Sequence, residues 1–175
     1  MNRGWLAGSF CLLLMLSLTS RAANHLDVRF NGVLLMESCQ LEQEGGHQEV
    51  ILPTKTLHFF DRNSRTETSP FYFGLKGCTP TMMGKTVKLT FSSAQTQQVN
   101  GVAMLATSGN TGLVIGLEDG AGQVITLGQA VKAGPISQVG PEGVNRYQFG
   151  AYALAPGAVK ADSYSAMVTV EVDYQ

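Results

Sequence analysis

At 175 residues, with 13 acidic against 12 basic side chains, the chain is sized for one well-filled domain and is nearly neutral. Charged residues make up 14% of it, against roughly 25% in average globular usage, so the sequence offers neither a basic patch for nucleic acid nor an acidic tail. Its 20 glycines, with recurrent Thr, Val and Ser, suit short strands joined by tight turns.

The start, Met1-Asn2-Arg3, is positively charged and leads into an apolar run from Trp5 to Leu18, followed by small residues at Ser20 and Ala22. This is the pattern of a secretory signal over residues 1–22, cleaved before Ala23. The apolar run is shorter than the roughly 18 residues a membrane span requires, so the exported chain is expected not to span a membrane. Cys11 falls inside this leader and follows the bulky Phe10, which argues against lipidation.

Next comes Leu26-Asp27-Val28-Arg29-Phe30-Asn31-Gly32-Val33-Leu34-Leu35-Met36. Successive strand residues face opposite sides, so Leu26, Val28, Phe30, Gly32, Leu34 and Met36 share one face while Asp27, Arg29 and Asn31 share the other. The pattern suits the first strand of an ordinary sandwich, or a strand intended for another molecule's sheet. With the leader removed, two cysteines remain, Cys39 and Cys78, in a chain bound for a compartment where disulfides persist. One bridge is expected. A C-x-x-C redox motif would need closer spacing, and a zinc site would need more ligands.

Downstream, Glu49 to Leu52 and Thr56 to Phe60 read as short strands around Pro53, and Asp61 to Ser69 as a loop. Phe71 to Lys76 is an aromatic-rich strand leading into Gly77-Cys78. Lys85 to Phe91 alternates, with Val87, Leu89 and Phe91 predicted inward. Ser92 to Asn100 is polar with little to pack, and Val102 to Ala106 is apolar. Leu113 to Leu117 and Val124 to Leu127 flank turn residues and predict a hairpin, while Ala130 to Val144, rich in Gly and Pro, reads as loop. Asn145 to Leu154 places Tyr147, Phe149, Ala151 and Ala153 on one face. The last stretch, Tyr164 to Gln175, alternates to its final residue, with Tyr164, Ala166, Val168, Val170, Val172 and Tyr174 together, as if the C-terminus itself were recognised. No segment beyond the leader shows helical periodicity, so the fold class is all-β, a sandwich of immunoglobulin-like type.

Convergent chemistry is missing from the sequence. Of three histidines, His25 lies near the start of the exported chain, His47 follows Gly-Gly in a turn, and His58 is most simply a structural residue. There is no G-x-S-x-G elbow and no H-E-x-x-H, and Gly120-Ala121-Gly122 opens no helix that could hold a phosphate. Glu118-Asp119 reads as a solvated acidic pair. No catalytic residue, metal site or cofactor is expected.

The order of features is similar to that of subunits of bacterial chaperone–usher pili, the type 1 and P pilins. These features are the signal, the alternating strand with Asn31-Gly32 at its centre, Cys39, Phe71 to Cys78 ending in Gly-Cys, Phe149-Gly150-Ala151-Tyr152, and a terminal strand with penultimate Tyr174. The resemblance implies an incomplete immunoglobulin-like sandwich, the pilin domain at 39–175, preceded by a donor-strand extension at 23–38. In that family the sandwich lacks a strand; a periplasmic chaperone lends one, and the extension of the next subunit replaces it at the outer-membrane usher. The resemblance implies that Val28, Phe30, Gly32, Leu34 and Met36 are the donor residues, with Phe30 in the outermost pocket and Gly32 in a shallow one. Val168, Val170, Val172 and Tyr174 would line the groove, and the carboxylate of Gln175 would be gripped by the chaperone. The groove is expected to be open, with residues 24–36 projecting away from it. Where the family has Gly at the start of the final strand, this chain has Asp162, which leaves that turn to be explained. The implied function is a structural, non-enzymatic subunit of an adhesive fimbrium, of minor or adaptor rank, whose partners are the chaperone, the usher and neighbouring subunits. The alternative reading is a self-contained secreted sandwich that binds carbohydrate or protein.

Overall fold

Alternation of apolar and polar side chains turns one face of Thr86–Ser92 inward, while Val114–Asp119 and the second half of Val144–Leu154 are buried on both faces. A computed structural model describes residues 24–31, 39–43 and 46–175. In chain order the elements are β1 (His25–Asn31), β2 (Gln40–Leu41), β3 (His47–Ile51), a one-turn helix α1 (Leu57–Phe60), β4 (Ser69–Lys76), β5 (Thr86–Ser92), β6 (Thr96–Val99), β7 (Val102–Ala106), β8 (Val114–Asp119), β9 (Ala130–Pro135), β10 (Val144–Leu154) and β11 (Ser165–Tyr174). One sheet runs β3-β1-β11-β5-β9 and the other β2-β4-β10-β8-β7-β6. The signal segment 1–22 lies outside the described residues.

Val87, Leu89 and Phe91 of β5 are fully buried, as their alternation predicts, and so are Val168 and Val170 of β11 beside them. Phe91 reaches across to the other sheet, its ring centroid 5.2 Å from that of Phe149 in β10, which in turn lies 5.8 Å from Phe71 in β4. These three rings join the two sheets at the centre of the core. At one end, the expected disulfide links Cys39 to Cys78, 39 positions apart.

Four expectations about local structure need correction. Thr56 to Phe60 is not a strand: Phe59 N donates to Thr56 O and Asn63 N to Phe59 O, so the backbone is satisfied within one helical turn where no partner strand is near. Ala130 to Pro135 is not loop but edge strand β9, paired with β5; Pro135 is tolerated because it ends an edge strand. Thr96 to Val99, within a stretch read as unpaired and polar, forms a hairpin with β7 around Asn100 and Gly101, both with positive φ (52° and 82°). The hairpin expected at 113–127 closes as expected in direction but its second half forms no full strand: it contributes the antiparallel bridge of Glu118 to Val124, with Asp119 N donating to Gln123 O and Ile125 N to Leu117 O.

Asp162 explains the turn where the related pattern has glycine. Its carboxylate accepts Asn110 N (3.0 Å) and Ser163 N (2.8 Å), so a side chain organises the entry into β11 that backbone freedom would otherwise provide.

Candidate functional site

The terminal strand β11 pairs on one side with β5 and on the other with β1. β1 runs parallel to β11, His25 opposite Ser165 through Asn31 opposite Glu171, and antiparallel to β3, His25 opposite Ile51 through Arg29 opposite His47. Its entry is held by Leu52 N donating to Asn24 O (3.2 Å), His25 N to Tyr164 O (3.3 Å) and Tyr164 N to Asn24 Oδ1 (3.4 Å). Leu26 and Val28 point into the sandwich and are 0% exposed. The apolar groove between β3 and β11 is therefore filled by the chain's own leading segment.

For residues 24–31 this corrects the expectation that 24–36 project away from an open groove; residues 32–36 lie outside the described residues. The physical reason is hydrophobic: Val168 and Val170 present an apolar strip along β11, and the alternation of β1 covers it at once. Of the five expected donor residues, Val28 lies opposite Val168 and Phe30 is in backbone register with Val170, while Gly32, Leu34 and Met36 fall outside the described residues. Val172 and Tyr174 are partly buried against the core. Gln175 is exposed, and its backbone exchanges hydrogen bonds with Thr86 (2.9 and 2.8 Å). A cleft of about 210 Å³ opens where β1 begins, lined by Asn24, Lys55, Phe60, Leu113, Val159 and Tyr164 among others.

On the outer face of β1, His25 Nδ1 lies 4.0 Å from Glu49 Oε1, and His47 Nε2 lies 3.4 Å from Asp27 Oδ1. His25 and His47 thus both sit in strands, His47 in β3 rather than in the turn expected for it. His58, on α1, faces solvent beside Asp61, with Nδ1 2.8 Å from Oδ2. Among the described residues no cluster of His, Cys, Asp or Glu could hold a metal ion, and no helix is long and apolar enough to cross a membrane.

A family model described as "Fimbrial protein" matches residues 28–175. The chain belongs to the fimbrial protein family. It is 28% identical to the fimbrial adapter PapK of Escherichia coli, with 94% of this chain and 96% of PapK aligned. It is also 29% identical to protein PrsK of Escherichia coli over the same shares. Its fold matches the P pilus rod subunit PapA at 25% identity and a TM-score of 0.60, covering 78% of this chain and 99% of that one. A subunit from the structure of a chaperone–usher pilus matches at 23% identity and a TM-score of 0.64, covering 83% of this chain and 93% of that one. As a member of this family of structural subunits, the fimbrial chain is a pilus component and not an enzyme.

Sequence reasoning missed one polar cluster in this fimbrial subunit. Glu118, read as solvated, is buried on the outer face of β8. Its Oε1 accepts Arg65 Nη1 (2.6 Å), its Oε2 accepts the Thr68 hydroxyl (2.8 Å), and that hydroxyl accepts Arg65 Nη2 (2.7 Å). The Arg65 guanidinium also stacks 3.6 Å over the Tyr152 ring. Gly116 and Gly150 make this lid possible, since a Cβ at either would collide with Tyr152 or Thr68. The hydrogen bond from Arg65 holds the Glu118 carboxyl below its ordinary value of 4.5 against the opposing pull of burial, helped by Thr68 and the positive charge. A folded value below the unfolded one stabilises the fold above about pH 4.5, and that contribution is lost as pH falls through the lowered value. Arg65→Ala is expected to cost about 2 kcal/mol at neutral pH, the usual cost of stranding a buried charge discounted for the partial exposure of Arg65. In urea titrations the gap between wild type and variant should narrow between pH 6 and pH 3; a constant gap would show that the charge pair is not what the arginine supplies.

Proposed function

We propose that this chain is an adaptor-rank subunit of a chaperone–usher pilus, assembled by exchange of donor strands. In this reading it is exported to the periplasm, receives a strand from a chaperone, and passes through an outer-membrane usher to the cell surface. There residues 24–36 of each subunit would fill the groove of its neighbour, with Val28, Phe30, Gly32, Leu34 and Met36 facing inward. The observation that carries the reading is an apolar groove along β11 whose filling strand comes from an N-terminal segment joined to the domain by only the residues 32–38. Such a sheet is incomplete without an added strand, and burying four or five apolar side chains supplies on the order of 10 kcal/mol before ordering costs. The adaptor rank follows the relative named as a fimbrial adapter. A self-filled groove would also suit a self-contained binding module; membership of the fimbrial family favours the subunit.

Deleting residues 23–36 tests the reading. The truncated subunit should still co-purify with its chaperone yet leave the preceding subunit unplugged, and immunolabelled pili should carry the full-length chain at one or a few positions per fibre. Normal incorporation of the truncated form would refute the donor assignment, and labelling all along the shaft would refute the adaptor rank.

A further inference from the structure

We infer that the free edge of β6 pairs with β6 of a second copy of this chain, antiparallel about a two-fold axis at Gln97, so that two subunits lie side by side on one continuous sheet. The pairing uses a margin of the fold that donor-strand assembly leaves untouched and does not depend on that reading. A sheet edge carries backbone N–H and C=O groups with no neighbouring strand, and soluble proteins blunt such edges with charge, proline, bulges or brevity. Among the described residues the two sheets end on β3, β9, β2 and β6, and three of these edges are blunted. β9 carries Lys132 and Pro135, and its register with β5 shifts between Val87 and Lys88. β3 presents His47 and Glu49 to solvent, and β2 is two residues long, next to Glu42 in its ion pair with Arg146. β6 has none of these devices. Its Thr96, Gln97 and Gln98 are exposed, and it lies within Leu89 to Leu117, a stretch without a single acidic, basic, histidine or proline residue.

The pairing of β6 with β7 decides which groups are free. Val99 and Val102 stand opposite each other across the two-residue turn, so they form a hydrogen-bonded pair, and the bonds recur at Gln97 opposite Met104. Ala106 N donating to Gln95 O (3.1 Å) continues the alternation. Thr96 and Gln98 therefore turn their N–H and C=O groups away from β7, toward the open edge. Directly opposed residues of an antiparallel pair share a face, so a two-fold axis has to bring one residue opposite its own copy. With Gln97 on the axis, Thr96 of each subunit meets Gln98 of the other, and four backbone bonds join the groups that are free. With Gln98 on the axis, Asn100, held at φ 52° in the turn, would have to serve as a strand residue. Val99 packs with Met104 and Val114, and Gln97, two positions away on the same face, meets its copy amide to amide. A charged strand laid against its own copy sets like charges side by side, whereas this one sets none. The second copy is the occupant because one strand supplies a partner for each of its own free groups.

The test uses the chain from residue 23 onward. Sedimentation velocity from about 10 µM to about 1 mM should show a reversible dimer with Kd of about 0.1–1 mM, as suits a small, transient interface. Gln98→Pro removes an outward N–H without touching the bonds to β7 and should raise Kd at least tenfold. Gln97→Lys should do the same by placing like charges on the axis, and mixing Gln97→Lys with Gln97→Glu should restore pairing to within about threefold of wild type. The register has its own readout. Opposed Cα atoms of a non-hydrogen-bonded pair lie about 4.5 Å apart, within reach of a disulfide. In oxidised glutathione, Gln97→Cys should therefore form a covalent dimer at least tenfold faster than Gln148→Cys, which is exposed on β10 away from the edge. A wild-type chain that stays monomeric at about 1 mM would overturn the inference, as would variants that dimerise like wild type. Equal rates of cross-linking at 97 and 148 would show chance collision and overturn it too.

Discussion

Replacing both Leu26 and Val28 with alanine is expected to lower the unfolding free energy of the isolated monomer by about 4 kcal/mol, measured by urea titration. Both side chains are fully buried, and both belong to a strand that completes one sheet between β3 and β11. Truncating them removes apolar contact with the core and leaves voids against neighbours fixed by their own strands, so the cost exceeds simple transfer. Register makes the prediction specific. Val28 lies opposite Val168, so Val28→Ala and Val168→Ala should couple by about 0.5–1 kcal/mol in a double-mutant cycle. Arg29, exposed on the outer face of the same strand, is the control: Arg29→Ala should change stability by less than about 0.5 kcal/mol. If the Leu26/Val28 double variant melts at the wild-type midpoint, β1 is not part of the monomer's folded sheet.

What could be read from the sequence followed from period and chemistry acting over short distances. The inward faces of β5, β10 and β11 were legible because a two-residue alternation over seven or more positions leaves one side apolar, and the burial of Val87, Leu89, Phe91, Val168 and Val170 follows it. Other features depended on partners far along the chain. Ala130 to Pro135 carries no alternation strong enough to declare itself, and it becomes a strand because β5 offers an unpaired edge. The β6–β7 hairpin did leave a local signal, Asn100-Gly101, the dipeptide that suits two successive positive φ values, but the polar Thr96-Gln97-Gln98 before it obscured the strand. Glu118 is the hardest case. Its partner Arg65 lies 53 residues away, and only the fold brings them together. The candidate groove shows the same division: which residues of β1 and β11 face inward is a matter of alternation, but that the two strands pair in parallel within one molecule is shown only by the fold.

Removing the disulfide, by Cys39→Ala with Cys78→Ala, is expected to destabilise the domain by about 4 kcal/mol. In the chain-entropy model the bridge acts on the unfolded chain, where it closes the 39-position loop containing β3 and β4; its cysteines are both buried, so small cavities add to the loss. For a domain of this size, about 4 kcal/mol corresponds to a fall in Tm of roughly 8–16 °C. Cys39 is also where the chain enters β2. Without the bridge, that entry is still held by β2, paired with Lys76 and Leu75 at the end of β4, by Glu42 N donating to Gly74 O, by Gln43 Nε2 donating to Tyr72 O and by the Arg146–Glu42 ion pair. With those contacts in place the cysteine-free chain should still reach its native sheets, so the loss is expected in stability rather than in fold, measured by thermal melts beside far-UV circular dichroism. A far-UV spectrum unlike that of wild type would mean that the bridge is required for the fold itself. A Tm unchanged from wild type would show that closing the 39-position loop adds nothing to the domain's stability.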